Sequence, residues 1–353
     1  MNTYERKNRE SSYELLRLCC IFGIIVMHIY GTVYTTAKGT DLVFGVLINT
    51  LFNSCVTIFI LISGYFGIRL RIAKLIKLDY MVVFYSLIGL IIFACFGEQM
   101  GFMKILSAVF PVLFNKYWFI TCYFILCLLS PWINQIPEKL EQKQFRRLLI
   151  TSVIIFCVIP MLTLHDIVMD SGKGMIHMTI AYLIGRYLAV YGASSYKKRK
   201  IFLCFMLFVS VALFLNTMLT LARGGNGVSA PFTRDCTLLT LGIAVTVFLF
   251  FREIHIRSTL LNTLTGSVLA IYVMEEAVRY VLGLSFHIED YLGTNVLPLV
   301  CMGYALVVMV VCILIDQFRS AIFGKIEERL AEKEEQIVNG LVKNLSDRFI
   351  KNS

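Results

Sequence analysis

Long apolar runs dominate this 353-residue sequence and limit what it can fold into. A helix needs about 20 apolar residues to cross the hydrocarbon core of a bilayer. Hydrophobic residues make up 58% of the chain and charged residues 16%, an excess that one soluble core cannot bury. The sequence predicts an all-α, polytopic membrane helix bundle of about ten transmembrane helices. The predicted spans are residues 14–34, 42–66, 78–96, 117–133, 148–164, 175–191, 201–222, 233–251, 263–284 and 295–315, with 100–114 interfacial or re-entrant.

The Lys and Arg residues between these runs alternate from side to side. Most of the 33 lie in one set of segments and in the tail, whereas the opposite set carries only Lys38, Lys104, Lys116, Lys173, Arg223 and Arg234. Because cytoplasmic loops carry the positive excess, both termini are predicted to be cytoplasmic. The predicted location of the protein is the cell membrane. The distribution indicates that the net charge of +10 serves interaction with membrane lipid rather than with nucleic acid.

The tail from Asp316 to Ser353 has a different pattern. Apolar residues recur every four positions and charges fill the opposite face; the apolar positions are Phe318, Ile322, Ile326, Leu330, Ile337, Leu341, Leu345 and Phe349. This predicts a C-terminal cytoplasmic amphipathic helix. It either lies on the membrane or the bundle, or pairs with a partner or a second copy of the chain. The predicted domains are a transmembrane domain, 1–315, and a helical tail, 316–353.

The first span carries a cation and a titratable group. His28 follows Arg17 by eleven residues, which places both side chains on one helix face about 16 Å apart. Glu14 can orient Arg17 as an i,i+3 pair. A phosphorylated donor with a long arm fits this layout, with Arg17 on phosphate and His28 handling a proton. The alternatives are a snorkelling Arg and a His that only joins helices.

Two further regions place polar residues near this face. In the second span Asn49, Asn53 and Thr57 recur every four residues, at about the predicted depth of His28. They either contact substrate or pack helices together. A basic segment follows this span and contains Arg69, Arg71, Lys74 and Lys77. It either forms an anion-binding site beside Arg17 or only determines the membrane topology.

Later polar residues are weaker candidates. Trp118 is either a substrate contact or a normal interfacial aromatic. In the ninth span Glu276 and Arg279 are expected to pair, leaving Glu275 to face a cavity as a substrate contact. An outer loop holds possible glycan contacts without recognisable spacing: His165, Asp166, Asp170 and His177. Neither the eleven Cys nor the five His have zinc-ligand spacing, so no metal or disulfide framework is expected.

Together these residues resemble the membrane acyltransferase type-3 family, the integral-membrane O-acyltransferases that modify bacterial surface glycans. The likeness covers roughly residues 10–315 and depends on Arg17-x10-His28, on the Ser63-Gly64-Tyr65 phrase before a basic loop, and on Tyr117-Trp118-Phe119-Ile120. It implies a cytoplasmic acyl-coenzyme A as co-substrate, acetyl-CoA being the commonest, and no permanently bound cofactor. It also implies an acceptor hydroxyl on a polysaccharide, a lipid-linked sugar or a small metabolite.

The resemblance also implies roles for particular residues. His28 would be the catalytic His, Arg17 its partner in donor binding, and Arg69 and Arg71 part of the basic loop. Family members often carry a His shortly after the Tyr that corresponds to Tyr272, and here Glu275 stands in that place. The chemistry is either general-base catalysis by His28 or transfer through an acyl-His28, with Asn53 or Thr57 as candidate oxyanion donors.

Two other classes of protein share the ten-span pattern. A proton-coupled transporter would also place polar residues inside spans, although no paired half-repeats are visible in the sequence. A sensor or scaffold acting through the tail is the third possibility. Binding of coenzyme A separates the acyltransferase from both.

Overall fold

The computed structural model describes residues 10–193 and 195–351, with side chains up to residue 341. Every regular element in these ranges is helical, as expected of apolar segments that must satisfy their backbone groups internally. The helices are α1 Ser12–Gly31, α2 Gly39–Phe52, α3 Cys55–Phe66, α4 Ile72–Cys95, α5 Phe102–Val109, α6 Trp118–Ile133, α7 Ile136–Lys139, α8 Gln142–Val153, α9 Ile159–Thr163, α10 Met175–Tyr191, α11 Lys198–Ala222, α12 Leu238–Arg252, α13 Thr259–Leu264, α14 Val268–Gly283 and α15 Leu297–Lys351.

Within these ranges, seven helical segments are long and apolar enough to cross a membrane, which makes this a multi-pass membrane protein. They are Ser12–Gly31, Gly39–Phe66, Ile72–Cys95, Trp118–Lys139, Gln142–Thr163, Lys198–Ala222 and Leu297–Leu341.

The other three predicted spans form shorter helices, α10, α12 and α14, of 17, 15 and 16 residues. In the predicted spans 233–251 and 263–284, turns occupy the first residues and shorten the helices α12 and α14. Thr237 caps α12 by accepting a hydrogen bond from the Thr240 backbone N–H at 3.3 Å. A 3-10 turn, Thr265–Ser267, precedes α14. The predicted interfacial segment 100–114 contains the short helix α5.

The first helices of the chain form the centre of the bundle. Of the 18 most apolar consecutive residues in each span, 61% are buried in α1 and 67% in the α2–α3 segment. The corresponding share is 22–33% in the other five candidate spans, whose apolar side chains face outward. On the face of α1 that carries Arg17 and His28, the intervening Ile21 and Ile24 are buried.

Two glycines allow α3 and α10 to cross closely. A Cβ on Gly64 would lie 2.1 Å from the Tyr182 carbonyl oxygen, and one on Gly185 would lie 2.4 Å from the Leu61 carbonyl oxygen. Small residues at such crossings let backbones approach. The Ser63-Gly64-Tyr65 phrase is thus partly a packing motif.

This crossing also holds the turn that leads into the basic segment. The Ile68 backbone N–H donates to the Tyr182 hydroxyl at 2.8 Å, and that hydroxyl donates to Asn134 Oδ1 at 2.7 Å. Asn134 Nδ2 in turn donates to the Ile68 carbonyl oxygen at 2.8 Å. Gly67, with a φ of +72°, makes the turn possible. The start of the Arg69–Lys74 segment is therefore fixed from two other helices.

The tail is helical but is not a separate helix, because α15 continues unbroken across the predicted boundary at residue 315. Its apolar stripe is exposed; the exposed side chains are Phe318, Ile322, Ile326, Leu330, Ile337 and Leu341. The polar face packs on α4 instead, where the Tyr85 hydroxyl donates to Asp316 Oδ1 at 2.8 Å. The predicted continuation of the stripe at Leu345 and Phe349 lies outside the described side chains.

Gly64→Val should disrupt the α3–α10 crossing, because its side chain would clash with the backbone of Tyr182. Overpacking of this kind costs about 1–3 kcal/mol or more. We expect a lower melting temperature and less monodisperse protein in detergent, measured by fluorescence-detected size exclusion after heating. Gly303→Val is the matched control, since a Cβ there meets nothing within 4 Å. Equal behaviour of both variants would contradict the packing described.

Candidate active site

His28 on α1 and Glu275 on α14 form a hydrogen bond between the two helices. His28 Nδ1 lies 2.8 Å from Glu275 Oε1. The Glu275 side chain is only 4% exposed, whereas that of His28 is 39% exposed. A carboxylate on Nδ1 keeps the proton on that nitrogen and leaves Nε2 free to accept one. The pair therefore has the form of a His base oriented by a buried acid.

Arg279 completes this cluster from the next turn of α14. Its Nε lies 2.5 Å from Glu275 Oε2, and its Nη2 lies 3.3 Å from Oε1. The expected pairing of Glu276 with Arg279 is therefore wrong, and so is the expectation that Glu275 projects towards a cavity. Glu275 faces α1, four residues before Arg279, and it is the exposed Glu276 that borders a cavity. Glu275 thus contacts His28 rather than open space.

The other member of the first-span motif, Arg17, lies on a basic cavity. Arg17 Nη1 lies 3.0 Å from Glu14 Oε2, which confirms the predicted i,i+3 pair. A cavity of about 240 Å³ joins this guanidinium to the basic segment; we call it the Arg69 cavity, and its charged lining is Arg17, Arg69, Arg71 and Lys74. The structure thus brings Arg17 and the two predicted loop arginines together on one space.

A second cavity continues from the first along α1. It has a volume of about 370 Å³ and shares Arg17, Ser63 and Tyr123 with the Arg69 cavity. Beyond it lies a constriction of only about 10 Å³, where Ile21 and Ile24 of α1 face aromatic rings. Those rings belong to Phe59, Phe119 and Tyr272. Arg17, Ile21, Ile24 and His28 occupy one face of α1, so this series of spaces leads from Arg17 towards His28.

A larger cavity of about 680 Å³ lies beyond His28. We call it the Lys116 cavity. From α1 it is bordered by Ile29 and Thr32, and from α14 by Glu276 and Arg279. The other polar and aromatic lining residues are Phe93, Glu98, Lys104, Ser107, Lys116, Tyr280, Phe286, His287, Glu289 and Tyr304. Arg279 both borders this cavity and binds Glu275, so the cavity adjoins the His28 cluster.

Lys116 is held in place at the wall of that cavity. Its Nζ donates to Ser86 Oγ at 2.9 Å and lies 5.5 Å from the centre of the Tyr117 ring. Burial lowers the pKa of Lys116, and the charge of Glu276 opposes that shift. Lys104, in contrast, already pairs with Glu98 at 3.1 Å. No spacing pattern in the sequence indicates this cavity, because its lining comes from α1, α4, α5, α14, α15 and four connecting segments.

The predicted polar stripe of the second span does not join these cavities. Thr57 is 1% exposed and its Oγ1 lies 3.0 Å from His177 Nε2 on α10. Asn53 donates to the carbonyl oxygen of Thr233, and Trp118 packs against Phe119. The positions of Asn53, Thr57 and Trp118 therefore do not support a role for them as substrate contacts or oxyanion donors.

The outer-loop candidates are also occupied locally. The Asp166 carboxylate accepts backbone N–H groups of Val168, Asp170 and Ser171 at 2.6–3.0 Å, which folds its own loop. Among the described residues, no group of three or more His, Cys, Asp or Glu side chains is arranged to hold a metal ion.

The family follows from the match of this chain to a known model. A family model described as an acyltransferase domain matches residues 10–316. The chain belongs to the membrane acyltransferase type-3 family. Membership of this family indicates that the protein is an acyltransferase rather than a transporter or a scaffold. No curated protein and no solved structure gives a significant match.

The matched range includes all the residues of the His28 cluster and of the Arg69 cavity. It contains His28, Glu275, Arg279 and the Arg69 cavity, and it ends at residue 316, within α15. The part of the tail beyond that residue lies outside the match.

Glu275→Ala should destabilise the acyltransferase far more than Glu276→Ala. The first change leaves Arg279 without its carboxylate partner inside the bundle, whereas Glu276 is exposed. Removing one member of such a pair costs about 2 kcal/mol or more. Thermal unfolding of both variants in the same detergent measures the difference. Equal melting temperatures would contradict the pairing.

Proposed function

We propose that this enzyme transfers an acyl group, acetyl being the first expectation, from cytoplasmic acyl-coenzyme A to a hydroxyl of a glycan or glycan precursor. The observation that carries the proposal is the position of His28. Held by Glu275, it follows Arg17, Ile21 and Ile24 along α1 and directly precedes Ile29, which borders the Lys116 cavity. A proton-handling group between a basic pocket and a polar one suits transfer between two substrates.

The orientation follows from the distribution of charge. The Arg69 cavity lies at the end of the bundle that carries the Lys- and Arg-rich segments, which the positive-inside rule assigns to the cytoplasm. Counting α10, α12 and α14 as spans gives ten crossings with both termini cytoplasmic. These three helices are short, and most of their residues are buried or half-buried among the other helices. The proposed location is the cell membrane.

The donor would bind with its phosphates in the Arg69 cavity. Arg17, Arg69 and Arg71 supply guanidinium groups, whose planar forks match phosphate oxygens. The pantetheine arm would then follow Ile21 and Ile24 towards His28, a distance of about 16 Å along α1. The rings of Phe59, Phe119 and Tyr272 close this path, so they must turn aside to admit the thioester.

The acceptor would enter through the Lys116 cavity. Sugars are recognised by hydroxyl–charge hydrogen bonds together with aromatic faces, and this cavity offers both. Lys116, Glu276 and Glu289 supply charges, and Tyr280 and Tyr304 supply rings. A polysaccharide repeat, a lipid-linked sugar and a small hydroxylated metabolite all fit that chemistry.

The chemical step needs one group that first accepts a proton as a general base and then donates it as a general acid. His28 Nε2 takes the proton of the acceptor hydroxyl while its oxygen attacks the thioester carbonyl carbon. The carbon–sulfur bond then breaks, and the imidazolium returns the proton to the thiolate, giving ester and free coenzyme A. The Glu275 carboxylate stabilises the imidazolium in between. Transfer through an acyl-His28 uses the same groups, and trapping of a labelled acyl-enzyme separates the two routes.

His28→Ala should abolish acyl transfer in proteoliposomes supplied with labelled acetyl-coenzyme A at the cytoplasmic face. We expect a loss of about 100-fold or more with donor binding retained, because the proton-handling group is gone while the phosphate site is intact. Release of coenzyme A and label in added glycan are the readouts. His255→Ala is the control, since that side chain is 80% exposed and lines none of the cavities described. Full activity of His28→Ala would remove His28 from the chemistry.

Arg69→Ala combined with Arg71→Ala should weaken the donor interaction without slowing the chemistry. Loss of two phosphate contacts is expected to raise KM for acetyl-coenzyme A about tenfold or more, with kcat little changed. Arg146→Ala combined with Arg147→Ala removes the same charge from a second predicted cytoplasmic segment and should leave KM unaltered. If both double variants shift KM equally, net charge and not the Arg69 cavity governs donor binding.

A further inference from the structure

The basic segment that lines the Arg69 cavity runs directly into α4, and this helix has no cap of its own. Its N-cap residue is Arg71, whose side chain makes no capping hydrogen bond. The first backbone N–H groups of a helix have no partner within it and need one from elsewhere. The exact position of Arg69, Arg71 and Lys74 therefore depends on how the start of α4 is held.

A carboxylate from the C-terminal tail supplies that partner. Glu335 Oε1 accepts a hydrogen bond from the Ala73 backbone N–H at 3.2 Å, in the first turn of α4. Its neighbour Glu334 accepts one from the Tyr80 hydroxyl at 2.5 Å, two turns further on. A negative charge at a helix N-terminus is favoured by the helix dipole as well as by the hydrogen bond. Glu335 thus caps α4 across a sequence distance of 262 residues.

A cluster of buried charges directs the tail to this position. Arg319 Nε donates to Asp316 Oδ1 at 3.1 Å and to the Tyr85 hydroxyl at 3.2 Å. Its Nη1 also donates to Glu327 Oε1, one turn before the buried Ala331. Through these contacts the polar face of α15 lies along α4, which brings Glu335 to the start of that helix.

We propose that Glu335 is a positioning residue for donor binding: by capping α4 it holds Arg69, Arg71 and Lys74 in place for the phosphates of acyl-coenzyme A. The proposal rests on the proposed function, since it assigns those three side chains to the donor. It also gives the tail beyond residue 316, outside the matched acyltransferase domain, a part in the reaction. Because Glu335 occupies the α4 N-terminus, a donor phosphate is left to the side chains of the cavity.

The test compares Glu335→Ala with Glu328→Ala, an exposed glutamate two turns earlier on α15. Two donors are used with the full-length protein: acetyl-coenzyme A, and acetyl-pantetheine, which lacks the nucleotide and its phosphates. We expect Glu335→Ala to raise KM for acetyl-coenzyme A at least about threefold with kcat unchanged. The kinetics with acetyl-pantetheine should stay the same in both variants, because that donor does not reach the basic segment.

Amide hydrogen exchange provides a readout that needs no donor. Peptides covering residues 70–80 should exchange faster in Glu335→Ala than in Glu328→Ala if the cap is present. Faster exchange with an unchanged KM would overturn the positioning role, and so would an equal loss with both donors, which indicates general destabilisation. Wild-type protein that neither binds nor uses acetyl-coenzyme A would instead refute the proposed function, and the role of Glu335 in donor binding with it.

Discussion

Glu275 is a carboxylate inside a membrane helix bundle, with a side chain that is only 4% exposed. A charge in this position is costly unless other groups satisfy it. His28 reaches it from α1, and Arg279 reaches it from the next turn of α14. These contacts fix the rotation of α14 relative to α1. They also decide which side of the imidazole is held and which side is available for chemistry.

The two cavities proposed for the substrates depend on contacts further from His28. The close crossing of α3 and α10 at Gly64 and Gly185 brings Tyr182 to the turn at residue 68, where the basic segment begins. The tail helix holds the other end of that segment, at Ala73. Beyond His28, Arg279 ties the wall of the Lys116 cavity to Glu275. The proposed donor site, base and acceptor site are thus connected through a few polar contacts between helices.

Contacts within one helix were predictable from the sequence. The 100° rotation per residue places Arg17 and His28 on one face, and i,i+3 spacing pairs Glu14 with Arg17. Contacts between helices were less accessible. Either Glu275 or Glu276 can reach Arg279 along α14, and packing against α1 makes the choice. Likewise, a polar stripe such as Asn53 and Thr57 serves a cavity or a neighbouring helix equally well, and here it meets Thr233 and His177. In the tail, an ion cluster around Arg319 turned the polar face inward, against the usual expectation for an amphipathic helix.

A structure of the His28→Ala variant with acetyl-coenzyme A bound would test the central proposal most directly, because the variant should hold the donor without consuming it. We expect the phosphates among Arg17, Arg69 and Arg71, the arm beside Ile21 and Ile24, and the thioester at the level of Tyr272 and Glu275. The rings of Phe59, Phe119 and Tyr272 should have turned away from the path that they close in the free protein. A donor seated in the Lys116 cavity, or phosphates outside the Arg69 cavity, would contradict this placement of the two substrates.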